Sequence, residues 1–178
     1  MGGERGEITI TLIAIVLAAI LMLGIPLMAV ANNQEDISQL QLTATAQKFV
    51  DNIAAKGSIT QDDIDTFMQE VSKDGNTYDF EIEVQHLDEN PGKKVTVTSG
   101  NLIGENTRVS EYKSAILANI EADSNHKYRL KKGDNIIIKV NNTNTTFAQL
   151  FRNVVYKITG SDTPQLEAIV SAMVQSNG

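Results

Sequence analysis

Between Ile8 and Ala31 the chain reads ITITLIAIVLAAILMLGIPLMAVA, without a charge and with Thr9 and Thr11 as its only polar side chains. As a helix rising 1.5 Å per residue, this stretch spans about 36 Å, more than the roughly 30 Å hydrocarbon core of a bilayer. A lone segment in lipid must satisfy its own backbone groups, so the helix is the conformation it has to adopt. Pro26 removes one hydrogen bond from that helix, and Gly24 just before it favours a bend there.

Two fates fit such a stretch. As a cleaved export signal it ends in Ala29-Val30-Ala31, which has the small-x-small form of a cleavage site after Ala31. As an anchor it stays, and Asn33 to Phe49 continue the helix beyond the membrane. The anchor reading is the expectation here: the apolar run is long for a signal, and Met1 to Glu7 set a single Arg5 against Glu4 and Glu7. In both cases the remainder leaves the cytosol, with Arg5 on the inside and Glu35 and Asp36 following the far end.

The residues past Ala31 are enough for one domain with a true core. The whole chain of 178 residues has a formal net charge of -7 and contains no cysteine. An acidic ectodomain speaks against nucleic acid or an anionic lipid surface as its main partner. Without cysteine there is no disulfide framework, thiolate metal site or cysteine nucleophile.

After the apolar run, Ile37, Leu40, Ala44, Phe49, Val50 and Ile53 recur at helical spacing. One helix is expected from Ile8 to Lys56, capped by Gly57, with Lys56-Gly57-Ser58 as a hinge. Thr60 and Asp63 have the spacing of a capping box ahead of a helix whose apolar face is Ile64, Phe67, Met68 and Val71, ending at Gly75. Tyr78 to Gln85 alternates as a half-buried strand with an acidic wet face. Asn90-Pro91-Gly92 is a turn leading to a second strand, Val95 to Thr98, a hairpin partner for the first. Ser110 is expected to cap a helix through Ile116, Leu117 and Ile120. His126 to Leu130 reads as extended, Lys132-Gly133-Asp134 as a turn, and Ile136 to Val140 as a central strand. Asn141 to Thr146 form a polar loop, with Thr146 capping a helix from Phe147 to Tyr156. Leu166 to Val174 is assigned as the closing strand, although its apolar residues fit the helical period as well.

The chain carries little for catalysis. His86 and His126 are its only histidines, one continuing a strand and the other in a polar loop. There is no Walker loop, dinucleotide glycine fingerprint or HExxH. Acidic residues alternating along a strand are better explained by solvation than by acid–base chemistry. The cluster Asp62, Asp63 and Asp65 reads as a solvated helix start, and Asn141-Asn142-Thr143 and Asn144-Thr145-Thr146 read as polar loop. No enzyme, cofactor, metal or small-molecule substrate is expected.

With these elements in order, the chain resembles the TadE-like pilus-assembly proteins, pilin-like components of Tad (Flp) pili, and in particular their clostridial relatives. The likeness starts at Arg5-Gly6 before a single apolar helix that becomes a stalk. It runs on through Val50-Asp51-Asn52-Ile53-Ala54-Ala55-Lys56-Gly57-Ser58-Ile59-Thr60, a short helix, and Gly75-Asn76-Thr77-Tyr78-Asp79-Phe80-Glu81-Ile82. Tyr128-Arg129-Leu130-Lys131-Lys132-Gly133-Asp134 and Asn177-Gly178 add to it. The resemblance implies assembly with other pilin-like subunits, and processing after Gly6, just ahead of Glu7, with Gly3 as the second choice. The chain departs from pilins at Thr11, where they carry a helix glutamate that pairs with a neighbouring amino terminus.

The expectation is thus an α+β protein. Residues 1–7 form a cytoplasmic leader, 8–31 a transmembrane helix, 32–57 an amphipathic stalk and 58–178 an extracytoplasmic head with a small antiparallel sheet. Its partners are the bilayer, through Ile8 to Ala31, and other assembly subunits. Ala14, Ala18 and Ala19 offer a small-residue face for helix packing in the membrane.

Overall fold

A computed structural model describes residues 3–87, 108–145 and 166–178. The architecture is α+β: a long amino-terminal helix, two short ones and a small antiparallel sheet. Helix α1 covers Gly3–Lys56 and continues through Pro26. Strand β1 (Ser58–Thr60), helix α2 (Gln61–Val71), a 3-10 turn at Ser72–Asp74 and strand β2 (Tyr78–Leu87) follow. Then come β3 (Arg108–Tyr112), α3 (Lys113–Ala122), β4 (Lys127–Arg129), β5 (Asn135–Asn142) and β6 (Glu167–Met173). Contacts divide the chain into two compact units, one of Met1–Ile37 with Thr145–Pro164 and one of Ser38–Asn144 with Gln165–Gly178.

In the second unit four strands form a fully antiparallel sheet in the order β3-β2-β5-β6. Alternation sorts its side chains: Tyr78, Phe80, Ile82 and Val84 of β2 and Ile136, Ile138 and Val140 of β5 are buried. They share one core with Leu42, Ala46, Phe49, Val50, Ile53 and Ala54 of α1, with α2 and with Ile116 and Ile120 of α3. Helices on one face of an antiparallel sheet make the two-layer arrangement of an α+β domain. Phe67 of α2 sits at the centre, stacked on Phe49 at 4.5 Å between ring centroids and edge-on to Phe80 at 6.2 Å.

Most expected elements are present. The capping box is complete, since Thr60 Oγ1 accepts from the Asp63 amide and Asp63 Oδ2 accepts from the Thr60 amide at 2.9 Å. Ile64, Phe67 and Val71 form the buried face of α2. β6 is a strand, and Leu166, Ala168, Val170 and Val174 all point into the core. The Asn90 turn, the Val95–Thr98 strand, the Thr146 cap and the Phe147–Tyr156 helix lie outside the described residues.

Four expectations need correction. Ser110 does not cap a helix: it lies within β3, where its hydroxyl donates to Glu83 Oε1 at 2.6 Å, and α3 begins after Tyr112. Asn141 and Asn142, expected in a loop, are the last residues of β5 and pair with Asp79 and Tyr78 of β2. In the second half of α1 the buried stripe runs through Leu42 and Ala46, while Ile37, Leu40 and Ala44 face solvent. Leu40 precedes Leu42 by two residues, about 200° around a helix, so only one of the two can face the core.

Finally, Lys56-Gly57-Ser58 is a joint held on every side, where a hinge is expected. Ser58 and Ile59 are buried, and β1 pairs with β4. The Gly57 carbonyl accepts from the Leu130 amide at 2.8 Å. The Ser176 to Gly178 backbone passes directly over Gly57, close enough that a Cβ there would stand 2.5 Å from the Ser176 carbonyl oxygen.

Candidate functional site: the apolar half of the amino-terminal helix

The first unit is described through the amino-terminal part of α1. Its most apolar 18-residue window has a mean hydropathy of 2.9, and none of it is buried. Ile8, Leu12, Ile15, Leu17, Leu23 and Val30 are exposed, and Met22 is 81 % exposed. Ile10, Ile13, Ala14, Val16 and Ala18, also exposed, complete the circle, so apolar side chains lie at every angle around the helix. A helix apolar all round belongs in a large core or in a membrane. At about 25 cal/mol per Å² of apolar surface, leaving it in water would be costly.

The sequence-predicted site residues fall on this helix. Gly3 and Gly6 are in its first turns, and Glu7 follows, exposed, its carbonyl accepting from the Thr11 hydroxyl at 2.8 Å. That bond satisfies the Thr11 side chain within the helix, as a threonine in lipid requires. Ala14, Ala18 and Ala19 are exposed. Ala14 and Ala18, four apart, share a face, whereas Ala19 lies about 100° farther round. The small-residue face is therefore the Ala14–Ala18 pair. Ala31 is partly buried within an unbroken helix.

The second unit holds a polar cluster that sequence reasoning missed. His86, on β2, sets Nδ1 2.8 Å from Asp134 Oδ2 and Nε2 2.7 Å from the Tyr128 hydroxyl. The Tyr128 hydroxyl also donates to Glu111 Oε2 at 2.9 Å. Asp134 is only 2 % exposed and accepts in addition from the Lys131 and Leu87 amides. Burial, and then the neighbouring Glu111 carboxylate, push the Tyr128 hydroxyl well above its ordinary range, so it stays protonated.

An Asp–His pair of this geometry resembles two thirds of a hydrolytic triad, but its third member is a tyrosine held as a donor, not an activated nucleophile. The chain of bonds joins β2, β3, β4 and the turn before β5. His126, in contrast, is exposed at the turn after α3, at a φ of 52°. Among the described residues no group of three or more acidic, histidine or cysteine side chains is placed to hold a metal ion.

No family model, curated protein or solved structure matches the chain.

Proposed function

We propose that the protein is a single-pass membrane-anchored, pilin-like component of a bacterial surface pilus or secretion apparatus, acting by subunit assembly and not by catalysis. The observation that carries this reading is α1 itself. One unbroken helix passes from an exposed, wholly apolar segment into the stripe that builds the head's core. Such a helix couples residence in lipid to a folded head directly, with the carboxy-terminal domain outside the cytoplasm. The assembly role rests on the resemblance of the motif order to that of TadE-like proteins.

The test is Leu17→Arg in the full-length protein expressed in its native cell. A charge near the bilayer centre costs roughly 2.5–3.5 kcal/mol on insertion scales. A hundredfold loss of carbonate-resistant membrane residence is the expected result. An unchanged membrane fraction would refute the anchor.

A second reading is a secreted binding module released after Ala31. One observation favours it: the head's core takes its first residue from α1 at Leu42, so cleavage after Ala31 leaves that core intact.

A further inference from the structure

Every hydrogen bond needs a proton between its two atoms, and the cluster around His86 is short of one. Its contacts run in series: Asp134 Oδ2 to His86 Nδ1 at 2.8 Å, His86 Nε2 to the Tyr128 hydroxyl at 2.7 Å, and that hydroxyl to Glu111 Oε2 at 2.9 Å. All three are of hydrogen-bond length. Two ionised carboxylates bring no proton, a neutral imidazole brings one and a phenol brings one. With two protons for three contacts, two lone pairs would face each other bare.

The surroundings say where a third proton belongs. Asp134 Oδ2 also accepts from the Lys131 amide at 2.8 Å, and Oδ1 accepts from the Leu87 amide at 3.4 Å, as an ionised carboxylate does. A charge as deeply buried as Asp134 is costly without an opposite charge beside it. The Tyr128 hydroxyl has one hydrogen and directs it to Glu111, so toward His86 it accepts. Nδ1 against a carboxylate and Nε2 against an accepting hydroxyl are both donors, and an imidazole with two donors is the cation. Asp134 faces His86 from the turn before β5, Tyr128 from β4, and Glu111 stands behind Tyr128 on β3. Asn119 of α3 donates to Glu111 at 3.4 Å, and Arg108 of β3 reaches the Gly133 carbonyl at 3.4 Å beside the turn, which Lys131 and Lys132 begin. The His86 side chain is 27 % exposed, so its protons can exchange with solvent.

We infer that the folded head holds His86 as an imidazolium between Asp134 and Tyr128, a proton-dependent latch that loosens as the surroundings turn alkaline. The latch has a definite place in the fold. It ties β2 and β3 of the four-stranded sheet to β4, and β4 pairs with β1 directly after the end of α1. Without the third proton one of the three bonds is lost, and with it the side-chain tie between the two sheets. A proton held only by the folded chain stabilises it fully below about pH 6.5, the ordinary histidine value, and that contribution is lost as pH rises. The inference concerns the head alone and stands whether or not the anchor is retained.

The experiment uses the full chain in detergent micelles with ¹⁵N-labelled histidine. The sequence has two histidines, and His126→Asn, at an exposed turn with positive φ, leaves His86 as the single signal. At about pH 7.5, where an ordinary histidine is neutral, both His86 ring nitrogens are expected at imidazolium positions. Glu111→Gln, at a partly exposed site, offers Tyr128 an amide N–H in place of the missing proton and should weaken the hold of the ring on its second proton about tenfold. In urea, the unfolding constant of the parent should rise about threefold or more from pH 7 to pH 8, and that of Glu111→Gln less. A neutral His86 ring in the parent at about pH 7.5 would overturn the inference. So would an unfolding constant that is flat over that interval, or an equal hold on the proton in Glu111→Gln.

Discussion

At Gly57 two constraints meet. Its φ of 74° lies in the left-handed region, and an added Cβ would press on the Ser176 carbonyl and the Gly178 amide. The backbone conformation alone costs an L-residue roughly 1–2 kcal/mol, and the crowded strand of chain above adds to it. Gly57→Ala is therefore expected to destabilise the head by about 2 kcal/mol or more, read as a lower urea midpoint for the full chain in detergent. Asp63 gives a pH-dependent prediction. Burial pushes its carboxyl up, but hydrogen bonds from Lys56 and from the Thr60 side chain and amide outweigh this and hold it below the ordinary value of 3.8. A depressed folded value stabilises the fold fully above the unfolded one, and the contribution fades as pH falls below about 4. Asp63→Asn should remove that part of the acid sensitivity and cost about 1 kcal/mol at neutral pH, measured by unfolding at several pH values. The cap was legible in the sequence because its two halves are three residues apart. The His86 cluster was not, because Asp134 lies 48 positions away and Tyr128 lies 42 away, with no local spacing to betray them.

Among the elements, α1 shows where sequence periodicity is strong and where it slips. Its existence and its end at Lys56 follow from apolar length and from Gly57. Its buried face was misphased before Phe49, because Leu40 and Leu42 are equally apolar and only the tertiary contact chooses between them. That choice is measurable. Leu42→Ala should cost 2–5 kcal/mol through the cavity it leaves, whereas Leu40→Ala, at an exposed position, should stay within about 0.5 kcal/mol. Equal losses would mean that the helix is rotated from the orientation described. β3 escaped notice for another reason. Among the described residues Arg108 to Tyr112 pair along one side only, and none of the five is buried, so neither alternating face carries the apolar signal by which a strand is recognised. Ser110 then looked like a cap because it precedes a real helix by three residues. β6, ambiguous by period, is settled as a strand by its long-range ladder with β5.

For the whole molecule, the account rests on a single helix of two characters: its amino-terminal half is apolar on all sides, and its carboxy-terminal half buries the stripe from Leu42 to Ala54 in the head's core while Ile37, Leu40 and Ala44 face solvent. The first half was legible as composition and length, the second as a fold class from alternating strands and helical stripes. A partner chain would not be legible in either, since an interface between chains leaves no periodic mark on one of them. The central claim is that Ile8 to Ala31 remains part of the mature protein. The most direct measurement is the intact mass and amino-terminal sequence of the protein from its native cell, in membrane and medium fractions. The account predicts a membrane-bound species beginning at Met1, or at Glu4 or Glu7 after pilin-type processing behind Gly3 or Gly6. A species beginning at Asn32 in the medium would contradict it and leave a secreted module.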